Sequence, residues 1–216
     1  MQRTRHRIPL GFVGLGGMGA PLAGRLLYRN RVYGTDRAKA KANGLIAEGL
    51  IWRDTPREVA AAAEVVFSLV SDDAALAAVA SGPDGILAGL RPGALYIDLS
   101  AVSPHARREL AEQVRAVGAT MIDARVRGGL AAAESGTLAI TVDGTEAAYH
   151  AAEPLLLRLA TTVTHLGGNG DGRAHSAAAA DMAPGRSEDI QGRHIGDGDI
   201  RDRDQRDVAQ LDRAKA

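Results

Sequence analysis

The sequence predicts a doubly wound α/β fold with a largely parallel sheet, on three observations. Short β-like runs alternate with helical runs from residue 8 to about residue 166, the mark of consecutive βαβ units. The first β-like run leads directly into glycines at Gly14, Gly16 and Gly19, and an apolar helical pattern opens behind them, from Ala20 to Leu27. The next β-like run ends on an acid, Asp36, at the distance of about 20 residues that such glycine turns call for. Right-handed crossovers between parallel strands then set a ligand crevice at the carboxyl ends of the strands, beside the glycine turn.

Taken in order, Ile8–Val13 reads as the first strand and about Gly17–Tyr28 as the first helix. Val32–Thr35 is a second strand, Lys39–Glu48 a helix and Leu50–Trp52 a short strand. Thr55-Pro56-Arg57-Glu58 combines a Thr…Glu capping box with proline at the first helical position, two helix-start signals together. Val65–Val70 is a buried strand, and Ser71 can cap a helix over Asp72–Ala80. Ala94–Asp98 is a strand, and Ser103-Pro104 opens a helix that runs to about Val117. Thr120–Ala124, Leu138–Val142 and Thr162–His165 are further strands, the last two separated by a helix over Thr145–Leu159. Gly167–Gly172 is a glycine-rich loop. Ala177–Ala180 is a short alanine run, and from Asp181 to Ala216 the chain is dense in Asp, Arg and Gly, with isoleucines too sparse to build a core, so residues 173–216 read as a polar tail, disordered or weakly helical.

Composition narrows the function classes. A chain of 216 residues supports one sizeable domain. Its formal net charge is zero, so neither nucleic acid nor a membrane surface is favoured as a partner. It has no cysteine, which excludes disulfides and thiolate chemistry, and no histidine spacing argues for a metal. No apolar run is long enough to span a bilayer, and the basic Met1–Arg7 stretch lacks the apolar segment of a signal peptide. A cytoplasmic protein is the expectation.

Each glycine of the turn has its own physical task. Gly14 permits the sharp turn, Gly16 permits close approach of backbone to a pyrophosphate, and Gly19 permits helix and strand to pack closely. Phosphates then meet free N–H groups at the positive end of the helix dipole. The pattern therefore points to a dinucleotide, although a strand–turn–helix without ligand has the same outline. Asp36 stands where an acid accepts hydrogen bonds from ribose hydroxyls, which favours NAD. Arg37 beside it can instead meet the 2′-phosphate of NADP, and Asp36 can alternatively cap the next helix.

These residues resemble the β-hydroxyacid dehydrogenase family, which includes 3-hydroxyisobutyrate dehydrogenase and the cofactor domain of 6-phosphogluconate dehydrogenase. The resemblance rests on Gly11–Ala23, on Gly82-Pro83-Asp84-Gly85, on Arg91-Pro92-Gly93-Ala94, on Asp98-Leu99-Ser100-Ala101-Val102-Ser103-Pro104, on Gly128-Gly129 and on Glu134–Leu138. It implies a Rossmann-like NAD(P)-binding domain over residues 1–172, with oxidation of a 3-hydroxy acid to its semialdehyde, or the reverse, by hydride transfer. By the same resemblance the cofactor contacts are Gly14, Leu15, Gly16, Gly17, Met18, Gly19, Asp36, Arg37, Leu69, Val70, Ser100 and Ala101. Ala101 stands where the family has threonine.

Two departures affect the substrate side. The family's substrate loop reads Asp-Ala-Pro-Val-Ser-Gly-Gly, whereas this chain has Asp123-Ala124-Arg125-Val126-Arg127-Gly128-Gly129. Arg127, Gly128 and Gly129 are the implied substrate-binding residues; the two arginines either grip a carboxylate or fill a site no longer used. The family's catalytic lysine, in Gly-x-Gly-x-x-x-Lys, falls on Ser176, which has no acid/base capacity near neutral pH without an activating neighbour. His165 and His175 are near in sequence but read as surface or loop-capping residues. The helical domain that dimerises the family is expected to be missing, as in a truncated or frameshifted product. An inactive nucleotide-binding module is the alternative to an impaired dehydrogenase.

Overall fold

The computed structural model describes residues 8–175. Eight strands form one sheet: β1 (Pro9–Val13), β2 (Arg31–Thr35), β3 (Ile51–Trp52), β4 (Val65–Ser68), β5 (Leu95–Asp98), β6 (Thr120–Arg127), β7 (Leu138–Asp143) and β8 (Ala160–His165). Their spatial order is β3-β2-β1-β4-β5-β6-β7-β8. All neighbours pair in parallel except β6 and β7, which are antiparallel. The chain builds outward from β1 to β3, then returns to the other side of β1 with β4. That reversal between β1 and β4 opens a crevice at their carboxyl ends.

Among the described residues, the helices that cover the two faces are α1 (Gly19–Leu27), α2 (Asn43–Ala47), α3 (Pro56–Ala62), α4 (Asp73–Ser81), α5 (Ile86–Gly89), α6 (Pro104–Ala116), α7 (Leu130–Ser135) and α8 (Glu146–Leu156). Alternation along each strand divides the core in two. Leu10, Phe12, Phe67, Ile97, Ile122 and Ile140 pack with α1, α7 and α8 on one side. Val13, Val66, Tyr96 and Met121 pack with α3 to α6 on the other. No helix among the described residues is long and apolar enough to cross a membrane.

The helix starts follow local side-chain chemistry. Thr55 accepts the Glu58 N–H at 3.1 Å, and Glu58 reaches back to accept the Asp54 N–H at 3.0 Å, one residue earlier than a reciprocal box requires. Asp72, not Ser71, caps α4: its carboxylate accepts the Ala75 N–H at 2.8 Å, while the Ser71 hydroxyl donates to Asp72. A carboxylate at the positive helix end is the stronger acceptor, and Ser71 is left to orient it. The Lys39–Glu48 helix is split into a 3₁₀ turn, Lys39–Ala42, followed by α2. Two helices, α5 and α7, were not expected from the sequence. The polar tail, apart from Arg173–His175, lies outside the described residues.

Candidate functional site

The glycine turn joins β1 to α1 at the crevice. Gly14 has φ +97°, a backbone region where a side chain is strained, and its N–H donates to the Thr35 carbonyl at 3.0 Å. A Cβ on Gly14 would collide with the Leu69 carbonyl, and one on Gly19 with the Gly14 carbonyl. Helix, turn and β4 therefore touch backbone to backbone. At Gly16 and Gly17, by contrast, a Cβ would stand in open space. No side chain caps the N-terminus of α1, so its first N–H groups face the turn without a side-chain acceptor.

Asp36 locks the turn from the neighbouring strand. One carboxylate oxygen accepts the Leu15 N–H at 2.9 Å, and the other accepts the Ala38 N–H at 3.0 Å. The following 3₁₀ turn begins after Ala38 without a side-chain cap, so Asp36 orders its own loop and is not that helix's cap. A cavity of about 370 Å³ opens here, walled by Gly14, Gly16, Asp36, Arg37, Leu69 and Val70, among others. Lys41 also lines it, a second cation that the sequence did not single out. Leu15, an implied contact, turns its side chain into the core, and Met18 packs on the core beside it. Leu15 can therefore present only backbone to the cavity, whereas Met18 is half-buried.

Behind the cavity runs a buried polar network. The Val70 N–H donates to the Ser100 hydroxyl at 3.0 Å, which itself donates to Asp98 at 2.7 Å. The Ser68 hydroxyl also donates to Asp98 at 2.7 Å and lies 2.7 Å from the Tyr96 hydroxyl. Ser100 is 1% exposed, so its hydroxyl braces Val70 from behind; Ala101, next in the chain, is exposed. Burial raises the carboxyl of Asp98 above the ordinary carboxylate range.

Three aspartates on adjacent strands share one register: Asp98 pairs with Asp123, and Asp123 with Asp143. All three are fully buried. Asp98 and Asp143 have hydrogen-bond donors, whereas Asp123 is faced by the Arg107 guanidinium at 2.9 Å and the His175 ring at 3.5 Å. Arg107, itself buried, places Nε 2.9 Å from Asp123 and donates through Nη2 to the Ser100 carbonyl at 3.0 Å. The Asp123 oxygens have no aligned hydrogen bond, so the contact with Arg107 is ionic. Asp143 accepts the Gly170 N–H at 2.9 Å and the Ala174 N–H at 2.8 Å. Burial pushes the Asp123 carboxyl up to about 7, against the opposing pull of Arg107.

The substrate loop implied by the sequence is largely strand. Arg125 and Arg127 lie on β6, paired with Thr141 and Ala139 of β7, because this Arg-Val-Arg stretch alternates against an antiparallel partner. Arg125 is one-third exposed and 3.9 Å from Asp123, while Arg127, Gly128 and Gly129 are exposed at the end of the strand. His175 is not a surface residue: it is 4% exposed, with Nε2 3.2 Å from the Asp123 carbonyl and Nδ1 3.4 Å from the Thr141 hydroxyl. The two N–H groups held by Asp143 draw it inward, and burial lowers its pKa. His165 lies 2.7 Å from the Gly144 carbonyl and stacks on Tyr149, a loop-bracing role. Ser176 lies outside the described residues.

The reversal of strand order, the glycine turn and the cavity define a dinucleotide-binding domain. Residues 9–167 match the model of the NAD binding domain of 6-phosphogluconate dehydrogenase, and the chain belongs to that family. It is 34% identical over 168 residues to 2-(hydroxymethyl)glutarate dehydrogenase of Eubacterium barkeri, covering 77% of this chain and 56% of that enzyme. Among solved structures, it is similar to Psf3 in complex with NADP+ and 2-OPP, at TM-score 0.73 and 32% identity, covering 80% of this chain and 61% of the other. It is likewise similar to Mycobacterium tuberculosis 3-hydroxyisobutyrate dehydrogenase with L-serine, at TM-score 0.73 and 32% identity, covering 80% and 59%. The chain thus spans a little over half the length of these relatives.

Proposed function

We propose that this chain holds NAD(P) in the crevice between β1 and β4 and serves hydride exchange with a small hydroxy acid. The observation that carries the reading is the glycine turn: backbone packed too tightly for side chains at Gly14 and Gly19, open space at Gly16 and Gly17, and a cavity alongside. The pyrophosphate would lie against Gly16, Gly17 and the first N–H groups of α1. Asp36 would accept from the adenosine ribose through the lone pairs its own loop leaves free, which favours NAD. Arg37 and Lys41 would serve NADP if that preference were reversed. Leu69 and Val70 would line the nicotinamide side, with Ser100 bracing Val70 and Ala101 at the rim. When bound, the cofactor supplies the hydride acceptor or donor; the protein's share is to bind and orient.

On the substrate side, Arg127 would grip the carboxylate beside Gly128 and Gly129. The relatives' names support an acid substrate, since one is a 2-(hydroxymethyl)glutarate dehydrogenase and another a 3-hydroxyisobutyrate dehydrogenase. Turnover by this chain would be weak, because Ser176 stands at the family's lysine position and a positioned acid/base contributes roughly 10²–10⁴-fold. Thermal shifts with NAD and NADP, followed by a rate assay with 3-hydroxyisobutyrate, test this. The reading predicts stabilisation by both cofactors, larger with NAD, and a rate lowered by at least about a hundredfold against a lysine-bearing relative. No shift with either cofactor would overturn it. A full rate would overturn the impaired reading alone.

A further inference from the structure

The charges on β6 bear on which acid the site takes. Arg125 and Arg127 are two residues apart on one strand, so both side chains leave the same face of the sheet, about 7 Å apart. The acids buried on that face each have neighbours closer than the two arginines. Asp123 faces Arg107 at 2.9 Å. Asp98 accepts from the Ser68 and Ser100 hydroxyls, and Asp143 from two backbone N–H groups.

Arg125 therefore meets Asp123 only at 3.9 Å, and its buried Nε has no hydrogen-bond partner. Arg127 is exposed, and among the described residues it forms no ion pair. Of the two neighbouring guanidiniums, only Arg125 has a carboxylate within 4 Å among the described residues, and Arg107 approaches that carboxylate more closely. The pair lies at the same end of the sheet as the cavity: β1, β4, β5 and β6 run parallel with Val13, Ser68, Asp98 and Asp123 in one register, and Arg125 and Arg127 follow Asp123 past the carboxyl ends of the strands. One planar fork is enough for one carboxylate. A second fork beside it, whose nearest carboxylate is 3.9 Å away, has room for a second anionic group.

We infer that Arg125 and Arg127 form a two-cation subsite that selects acids bearing two anionic groups over monocarboxylates. This rests on the reading that the crevice takes an acid beside the nicotinamide. Arg127 holds the carboxylate next to the reacting carbon, and Arg125 holds the second anionic group, a carboxylate or a phosphonate.

The test is calorimetric titration of the full chain with glutarate, 3-phosphonopropionate and butyrate, without cofactor and with saturating NADH. Glutarate or the phosphonate is expected to bind at least tenfold more tightly than butyrate, and whichever does so names the second group. Arg127→Gln should remove that preference while leaving NADH binding unchanged. Because Arg127 is exposed, this variant is expected to fold even if Arg125→Gln does not. Equal affinities for all three acids, or a preference that survives in Arg127→Gln, would overturn the inference. NADH binding in the same samples separates the two readings. A chain that binds NADH without preferring dianions loses only this inference. A chain that prefers dianions without binding NADH loses only the cofactor reading.

Discussion

Asp123 shows how far burial can move a single group, and what that does to stability. Its carboxyl is pushed up to about 7 by burial, above the ordinary value of 3.8 that the unfolded chain would show. A carboxyl raised in this way contributes stability that is complete below the unfolded value and lost as pH rises through the folded one. The window is therefore pH 4 to 7, with stability falling as pH increases. His175 acts in the opposite sense, since burial lowers its pKa from 6.5 and its contribution is lost on acidification. His175 Nε2 lies 3.5 Å from Asp123, so the comparison is made in a His175→Gln background, where the difference between Asp123→Asn and its parent reports Asp123. We predict that the variant's deficit in urea unfolding shrinks from pH 4 to 7, by up to about 1.4 kcal/mol per pH unit. A deficit independent of pH would contradict the raised carboxyl. Little of this was legible in the sequence. Yet Arg107 had a signal: it occupies the apolar stripe of α6 with Leu110, Ala111 and Val114, at the i, i+3, i+4, i+7 spacing. A cation on that stripe marks a buried partner. The burial of His175 had no such signal, because it depends on Asp143 catching two N–H groups 27 and 31 residues away.

Among the elements, those with strong local chemistry were read correctly from sequence and the weak ones were not. The Thr55-Pro56 and Ser103-Pro104 starts appear in the structure as capped helices. By contrast, α5 has four residues and α7 six, too short for a periodic pattern to show. The sequence also ended β6 at Ala124, because Arg125 and Arg127 do not look like strand residues; the ladder to β7 carries the strand to Arg127. The β7–α8–β8 unit lies at one edge of the sheet, whereas the cavity lies at β1, β2 and β4. The Thr145 hydroxyl caps α8 by accepting the Ala148 N–H at 3.3 Å. Thr145→Ala is predicted to cost about 1 kcal/mol in thermal or denaturant unfolding and to leave NADH affinity unchanged. A comparable loss of NADH affinity would mean that this edge and the cofactor cradle do not behave independently.

For the molecule as a whole, the proposed cofactor site lies at the one point where the strand order reverses. There the α1 N-terminus, the Gly14–Gly19 turn and Asp36 meet, and this part was the most legible in the sequence because glycine spacing encodes backbone contact directly. The substrate half was less legible, since its charges depend on which acids lie buried across three strands. The central claim is that the turn is a cofactor cradle. Calorimetric titration with NADH of the parent chain and of Gly19→Ala tests it most directly. A Cβ at Gly19 would run into the Gly14 carbonyl and must push the helix off the turn. We expect saturable binding by the parent and at least about a tenfold weaker affinity in a variant that still folds, a loss of about 1.4 kcal/mol. A folded parent that does not bind NADH, or a folded Gly19→Ala that binds it equally well, would contradict it.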